Sequence, residues 1–104
     1  MHERTGLTET AQLFKVLGNE SRLRLLLLLS EEPMTVGALT EATGMSQPLV
    51  SQHLRTLRHA GVVAATRDGK EVSYDLADAH VSHVIADALT HAREPLAADD
   101  AADR

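Results

Sequence analysis

The chain has 104 residues, 43% of them apolar and 2% aromatic, with a formal net charge of −5 and no cysteine. That length is one small domain with a modest core, too apolar for a disordered tail. The missing thiols exclude a disulfide scaffold, a Cys-ligated zinc or iron–sulfur centre and thiol catalysis. With Phe14 and Tyr74 the only aromatics, the core must be built from Leu, Val and Ala, a composition that favours packed helices and dimerisation. The longest apolar run, Leu25 to Leu29, is too short to span a membrane. No basic leader with an apolar stretch opens the chain, so a cytoplasmic protein is expected.

The spacing of Leu13, Val16 and Leu17 predicts a first helix from about Thr8 to Leu17, stopped by Gly18. Asn19 is the next N-cap, and a second, buried helix follows from Glu20 to about Ser30. Glu32-Pro33 breaks it. Thr35 caps a short third helix that ends at Gly44, and Ser46 caps a fourth with Pro48 in its first turn. Leu49, Val50, Leu54 and Leu57 form the inward stripe of that helix, and Gly61 closes it. The β-prone stretch 62–66, the turn signal Asp68-Gly69 and the alternation of Val72, Tyr74 and Leu76 predict a two-stranded hairpin. Asp78 caps a last helix reaching about Arg93, ended by Pro95. The fold class is mainly α with a β-hairpin: a winged helix-turn-helix over residues 1–94, followed by an acidic, disordered tail over 95–104.

The net charge argues against nucleic acid, but its distribution does not. Between Glu41 and Asp68 there is no acidic residue, while Arg55, Arg58, Arg67, His53 and His59 all fall there. The tight joint at Gly44-Met45 lets the fourth helix project, as a recognition helix must to enter the major groove. Ser46, Gln47, Ser51, Gln52 and Arg55 are its candidate base readers, because Gln and Arg make paired bonds to base edges. Arg58 suits a phosphate, and Arg67 and Lys70 at the hairpin tip suit the backbone or flanking minor groove. Any one of these residues alone reads first as a solvated face; the case rests on their grouping.

The stretch from Phe14 through Gly18-Asn19-Glu20-Ser21-Arg22-Leu23-Arg24 to Leu25 resembles the opening of ArsR/SmtB-family repressors. Ser46-Gln47-Pro48-Leu49-Val50-Ser51-Gln52-His53-Leu54, followed by Leu57 and Gly61, resembles their recognition helix. The resemblance runs from about Leu7 to Glu94. It implies a homodimeric winged-helix repressor, joined through its first and last helices and released from its operator by metal ions.

The last helix carries Asp78, His80, His91 and Glu94. At about 100° per residue His80 and His91 return to within about 20° of one face, yet lie about 16 Å apart along the axis. One ion therefore cannot take both from one chain. Two such helices packed antiparallel bring Asp78 and His80 of one chain to His91 and Glu94 of the other, a set suited to tetrahedral Zn²⁺. The pattern also resembles the interfacial site of the family's zinc, cobalt and nickel sensors. The thiolate site of other members has no counterpart, since Thr35 to Thr40 holds no Cys. That weighs against arsenic, cadmium or lead. In nickel-sensing relatives an N-terminal arm adds ligands, which makes His2 a further candidate for Ni²⁺ or Co²⁺. His83, one turn after His80, and Asp87, on the stripe of His80 and His91, are candidates to support it. His53 and His59 are expected to face DNA or solvent. Readings left open are a metal that promotes DNA binding, a metal buffer without DNA function, and a zinc hydrolase. The last lacks a readable cleft, so no enzyme is expected.

Overall fold

The structure is a computed structural model and describes residues 5–95. Its element order is α1 (Leu7–Leu17), α2 (Glu20–Leu29), β1 (Met34–Thr35), α3 (Val36–Thr43), α4 (Gln47–His59), β2 (Val63–Asp68), β3 (Glu71–Leu76) and α5 (Ala79–Arg93). His2 and the tail beyond Pro95 lie outside the described residues. The expected helix ends hold because polar side chains satisfy free backbone N–H groups at the starts of α2 to α5, while α1 starts from Gly6 without a side-chain cap. Asn19 accepts from the Arg22 amide, Thr35 from Ala38, Ser46 from Leu49 and Asp78 from Val81.

The core is aliphatic throughout. Leu25, Leu26 and Leu29 of α2 pack with Leu39 of α3, with Val50, Leu54 and Leu57 of α4, with Val62 and Val63 at the entry to β2, and with Ile85 of α5. No charged or polar residue is buried among them in the described chain. Gly44 turns between α3 and α4 at φ 76°, a left-handed conformation that glycine adopts without steric cost. That joint holds α4 across α3 and leaves its outer face open.

The structure corrects the sequence reading at three places in the fold. The sheet has three strands in the order β1-β3-β2, because Met34 and Thr35 pair with Tyr74 and Ser73. A two-residue strand is too short to show alternation, and Thr35 also doubles as the α3 cap. The hairpin turn is Gly69-Lys70, one residue later than Asp68-Gly69, since Asp68 still pairs with Glu71. Gly69 supplies the positive φ (68°) at the first central position, as a type II′ turn requires. Leu49 leaves the inward stripe and is 38% exposed. At about 100° per residue it sits on a flank of α4, away from the narrow arc of Val50, Leu54 and Leu57.

Candidate nucleic-acid and metal interfaces

α4 divides into two faces. Val50, Leu54 and Leu57 are fully buried, while Gln47, Gln52, Arg55 and Arg58 are exposed. Ser51 is half-buried beside them. Ser46 is exposed, but its Oγ accepts the Leu49 amide at 3.4 Å, so it is engaged as a cap. Ser51, Arg55, Arg58 and His59 line an open notch of about 500 Å³ against Tyr74 of β3. The strand alternation alone points to no such place for Tyr74. Arg67 and Lys70 are exposed at the end of the hairpin, which projects beside α4. A basic, polar face of this shape offers paired donors for base edges and cations for phosphates.

His53 is placed differently from expectation. It is half-buried, and its Nδ1 accepts from Arg22 Nε of α2 at 3.4 Å. It faces that guanidinium instead of DNA. Burial, and then the neighbouring Arg22 charge, hold the imidazole below its ordinary value of 6.5. His59 is exposed, as expected.

The α5 candidates fall on the outside of the molecule. Asp78 Oδ1 accepts the Val81 amide at 2.9 Å and lies 3.9 Å from His80 Nδ1. The His80 side chain is 95% exposed. Both residues border an open groove of about 340 Å³ with Glu9, Leu13 and Leu17 of α1. No spacing or motif in the sequence points to Glu9 as a neighbour of this pair. His83, Asp87 and His91 are exposed on α5. Glu94 departs from the helix face assigned to it. It is the C-cap, with extended φ −70° and ψ 143°, because a residue before proline is driven out of the helical region. Among the described residues of this one chain, no three His, Asp or Glu side chains converge on a common point. The structure thus pairs Asp78 with His80 and keeps His91 apart from them.

α1 carries the largest exposed apolar side chains, Leu7 at 60% and Phe14 at 57%. No helix among the described residues is long and apolar enough to cross a membrane.

Residues 19–65 match the family model described as bacterial regulatory protein, arsR family. The chain is 43% identical over 88 residues to the HTH-type transcriptional repressor SmtB of Mycobacterium tuberculosis, an alignment covering 85% of this chain and 65% of that protein. It thus spans just under two thirds of that relative's length. Over 83 residues it is 39% identical to the HTH-type transcriptional regulator NmtR of the same organism, with 80% of this chain and 69% of NmtR covered. Among solved structures, a homodimeric winged helix-turn-helix DNA-binding domain from Mycobacterium bovis, a possible ArsR-family transcriptional regulator, superposes with a TM-score of 0.81. It shares 32% identity and covers 86% of this chain and 83% of that one.

Proposed function

Since the chain belongs to the ArsR family of bacterial regulatory proteins and has the winged helix-turn-helix fold, we propose that it is a metal-responsive DNA-binding repressor. It acts as a homodimer in the cytoplasm and is released from its operator by Zn²⁺ or Ni²⁺, with Co²⁺ a third candidate. The observation that carries the DNA reading is the division of α4, with three aliphatic residues buried and Gln47, Gln52, Arg55 and Arg58 presented beside the basic turn of the wing. Gln47, Ser51, Gln52 and Arg55 read bases; Arg58, Arg67 and Lys70 hold backbone; Ser46 sets the start of the reading helix.

The seam follows from what one chain leaves uncovered. Leu7 and Phe14 of α1 stand in solvent, and α5 buries Ile85 alone. Packing α1 and α5 against their copies covers both. The donor chemistry fits a borderline divalent ion: Asp78 retains its second oxygen beyond the cap, and the His80 imidazole beside it is free in solvent. Asp78 and His80 of one chain, with His91 and Glu94 of its copy, would hold the ion, and His2 is a candidate for a further ligand. When bound, the ion supplies a cross-link between the two α5 helices. A two-fold operator requires recognition helices about 34–36 Å apart, so a restricted seam disfavours the DNA-bound spacing. By linkage, DNA weakens metal binding by the same factor as metal weakens DNA binding.

The test is duplex binding at fixed salt, using a duplex selected from a random pool by the wild-type chain, with and without each of Zn²⁺, Ni²⁺ and Co²⁺. Weaker binding with at least one ion is expected. Tighter binding reverses the sign and makes the metal a co-repressor or co-activator. A chain that selects no duplex and only sequesters metal is a buffer.

A further inference from the structure

Arg22 stands at a corner where three helices meet. Its backbone amide donates to Asn19 at the start of α2. Its Nη1 donates to the Val16 carbonyl in the last turn of α1 at 2.9 Å, and its Nε donates to His53 Nδ1 of α4 at 3.4 Å. One guanidinium thereby joins the first helix to the reading helix, with α2 as its base. A planar fork with fixed donors can hold two acceptors at once in a way that lysine cannot.

The rest of the described side-chain anchorage of α4 is aliphatic. Burial of Val50, Leu54 and Leu57 sets which face of α4 is inward, but such contacts lack the sharp angular preference of a hydrogen bond. His53 lies about 60° from Val50 on one side of that stripe. Ser51, Arg55 and Arg58 lie on the other side. The hydrogen bond from Arg22 is therefore a directional contact that acts on the roll of α4. Gln52, the exposed base-reading candidate, is the adjacent residue in the chain, and paired bonds to a base edge demand a fixed roll.

We propose that Arg22 is a positioning residue for the recognition helix, fixing its roll by tying the Nδ1 acceptor of His53 to the Val16 carbonyl of α1. The proposal rests on the DNA reading given above. It also gives the seam helix α1 a direct connection to α4 that bypasses the α5 candidates. Nδ1 can accept only while His53 is neutral with its proton on Nε2. Arg22 of α2 is the charged group that bears on this imidazole. α1 brings the Val16 carbonyl, and the adjacent Lys15 is exposed. On α4 itself Arg55, Arg58 and His59 lie more than about 100° round the helix from His53. Protonation replaces the acceptor with a second cation facing Arg22, so the tie breaks as pH falls through the lowered value of His53 and is unaffected above the ordinary 6.5.

The experiment uses the full chain, without added metal, and the duplex selected by the wild type. Arg22→Gln and His53→Leu remove the tie, and each is expected to weaken duplex binding by about tenfold at pH 7.5. His53→Gln restores an acceptor that does not titrate, and its binding is expected to stay within about threefold of wild type. The ratio of wild-type to His53→Gln affinity is then measured from about pH 7.5 to 5.5, where every other histidine is common to both proteins. A ratio that falls on the acid side supports the tie; a flat ratio overturns it. His53→Leu or Arg22→Gln binding as tightly as wild type also overturns it. If Arg22→Gln does not fold, the two His53 variants decide. Nitrogen spectra of His53 give an arm that needs no DNA: a proton on Nδ1 at pH 7.5 refutes the contact. A wild-type chain that selects no duplex refutes the DNA reading and the positioning role with it, while those spectra still decide whether the tie exists.

Discussion

α4 and α5 are the two longest helices, and one chain anchors them in opposite ways. α4 buries Val50, Leu54 and Leu57 completely, is capped by Ser46 and is held on its flank by Arg22. α5 is longer, yet Ile85 is its only buried side chain, and His80, His83, Asp87 and His91 stand outward. The position of α4 is thus determined within the subunit. Among the described residues much of α5 has no packing partner, so its final environment depends on what covers it. A recognition helix has to be rigid before it meets DNA. In the proposed function α5 is the seam that metal would restrain, and such a seam has to remain adjustable.

The largest effect that sharpens this contrast is on stability. Leu54→Ala empties a site at the centre of the core and is expected to cost about 2–5 kcal/mol. Ile85→Ala removes a comparable side chain from a helix with one buried residue, where neighbours relax more easily, and is expected to cost less. Denaturant unfolding of both variants at one protein concentration checks the order. An Ile85 cost above that of Leu54 breaks the contrast.

Next comes the switch. His91 is exposed, and among the described residues its side chain makes no hydrogen bond, so His91→Ala should leave metal-free folding and duplex binding unchanged. The metal effect on duplex binding, a coupling of about 1–3 kcal/mol, should disappear. Titrating the selected duplex with and without metal measures both. A variant that still responds like wild type removes His91 from the site.

Asp78 belongs to both sides of the comparison, since its Oδ1 caps α5 and its second oxygen is offered to metal. Asn caps as well as Asp, whereas Ala does not. Asp78→Ala should cost about 1 kcal/mol of stability and also the metal response. Asp78→Asn should keep the stability and lose most of the response. If Asn preserves full metal sensitivity, the carboxylate is a cap and nothing more.

What the sequence disclosed follows the same division. Helix ends were legible because caps are local: Asn19, Thr35, Ser46 and Asp78 each act within three residues of their own position. The buried arc of α4 was legible from its spacing, apart from Leu49 at its edge. Long-range features were not. β1 is two residues whose only signature is a partner about forty positions away, Tyr74 and Ser73. The tie from Arg22 to His53 joins helices 31 positions apart, and each residue alone reads as a solvated polar side chain. Glu94 was placed by its spacing to His91, while the local effect of Pro95 on backbone geometry decided otherwise. The metal set itself, read as intersubunit from helical rise, is not gathered by the described residues of one chain.

The smallest expected effect tests how far the reading surface extends beyond α4. Lys70 occupies the second central position of the wing turn and is exposed; Gly69 supplies the positive φ that the turn needs. Lys70→Ala should therefore leave the hairpin folded and remove one cation. If that cation neutralises a phosphate, one counterion fewer is released, and the salt dependence of binding flattens by about one unit. Between about 50 and 200 mM salt that corresponds to only about a threefold narrowing between wild type and variant. The change should be the same on the selected duplex and on an unrelated one, because phosphates carry no base identity. A Gln52→Ala variant in the same series should instead lose affinity mainly for the selected duplex, by about 1–3 kcal/mol, since base contacts do carry it. An unchanged slope for Lys70→Ala would take Lys70 off the backbone and leave Arg67 as the wing's phosphate contact. A loss confined to the selected duplex would make Lys70 a base reader in the flanking groove.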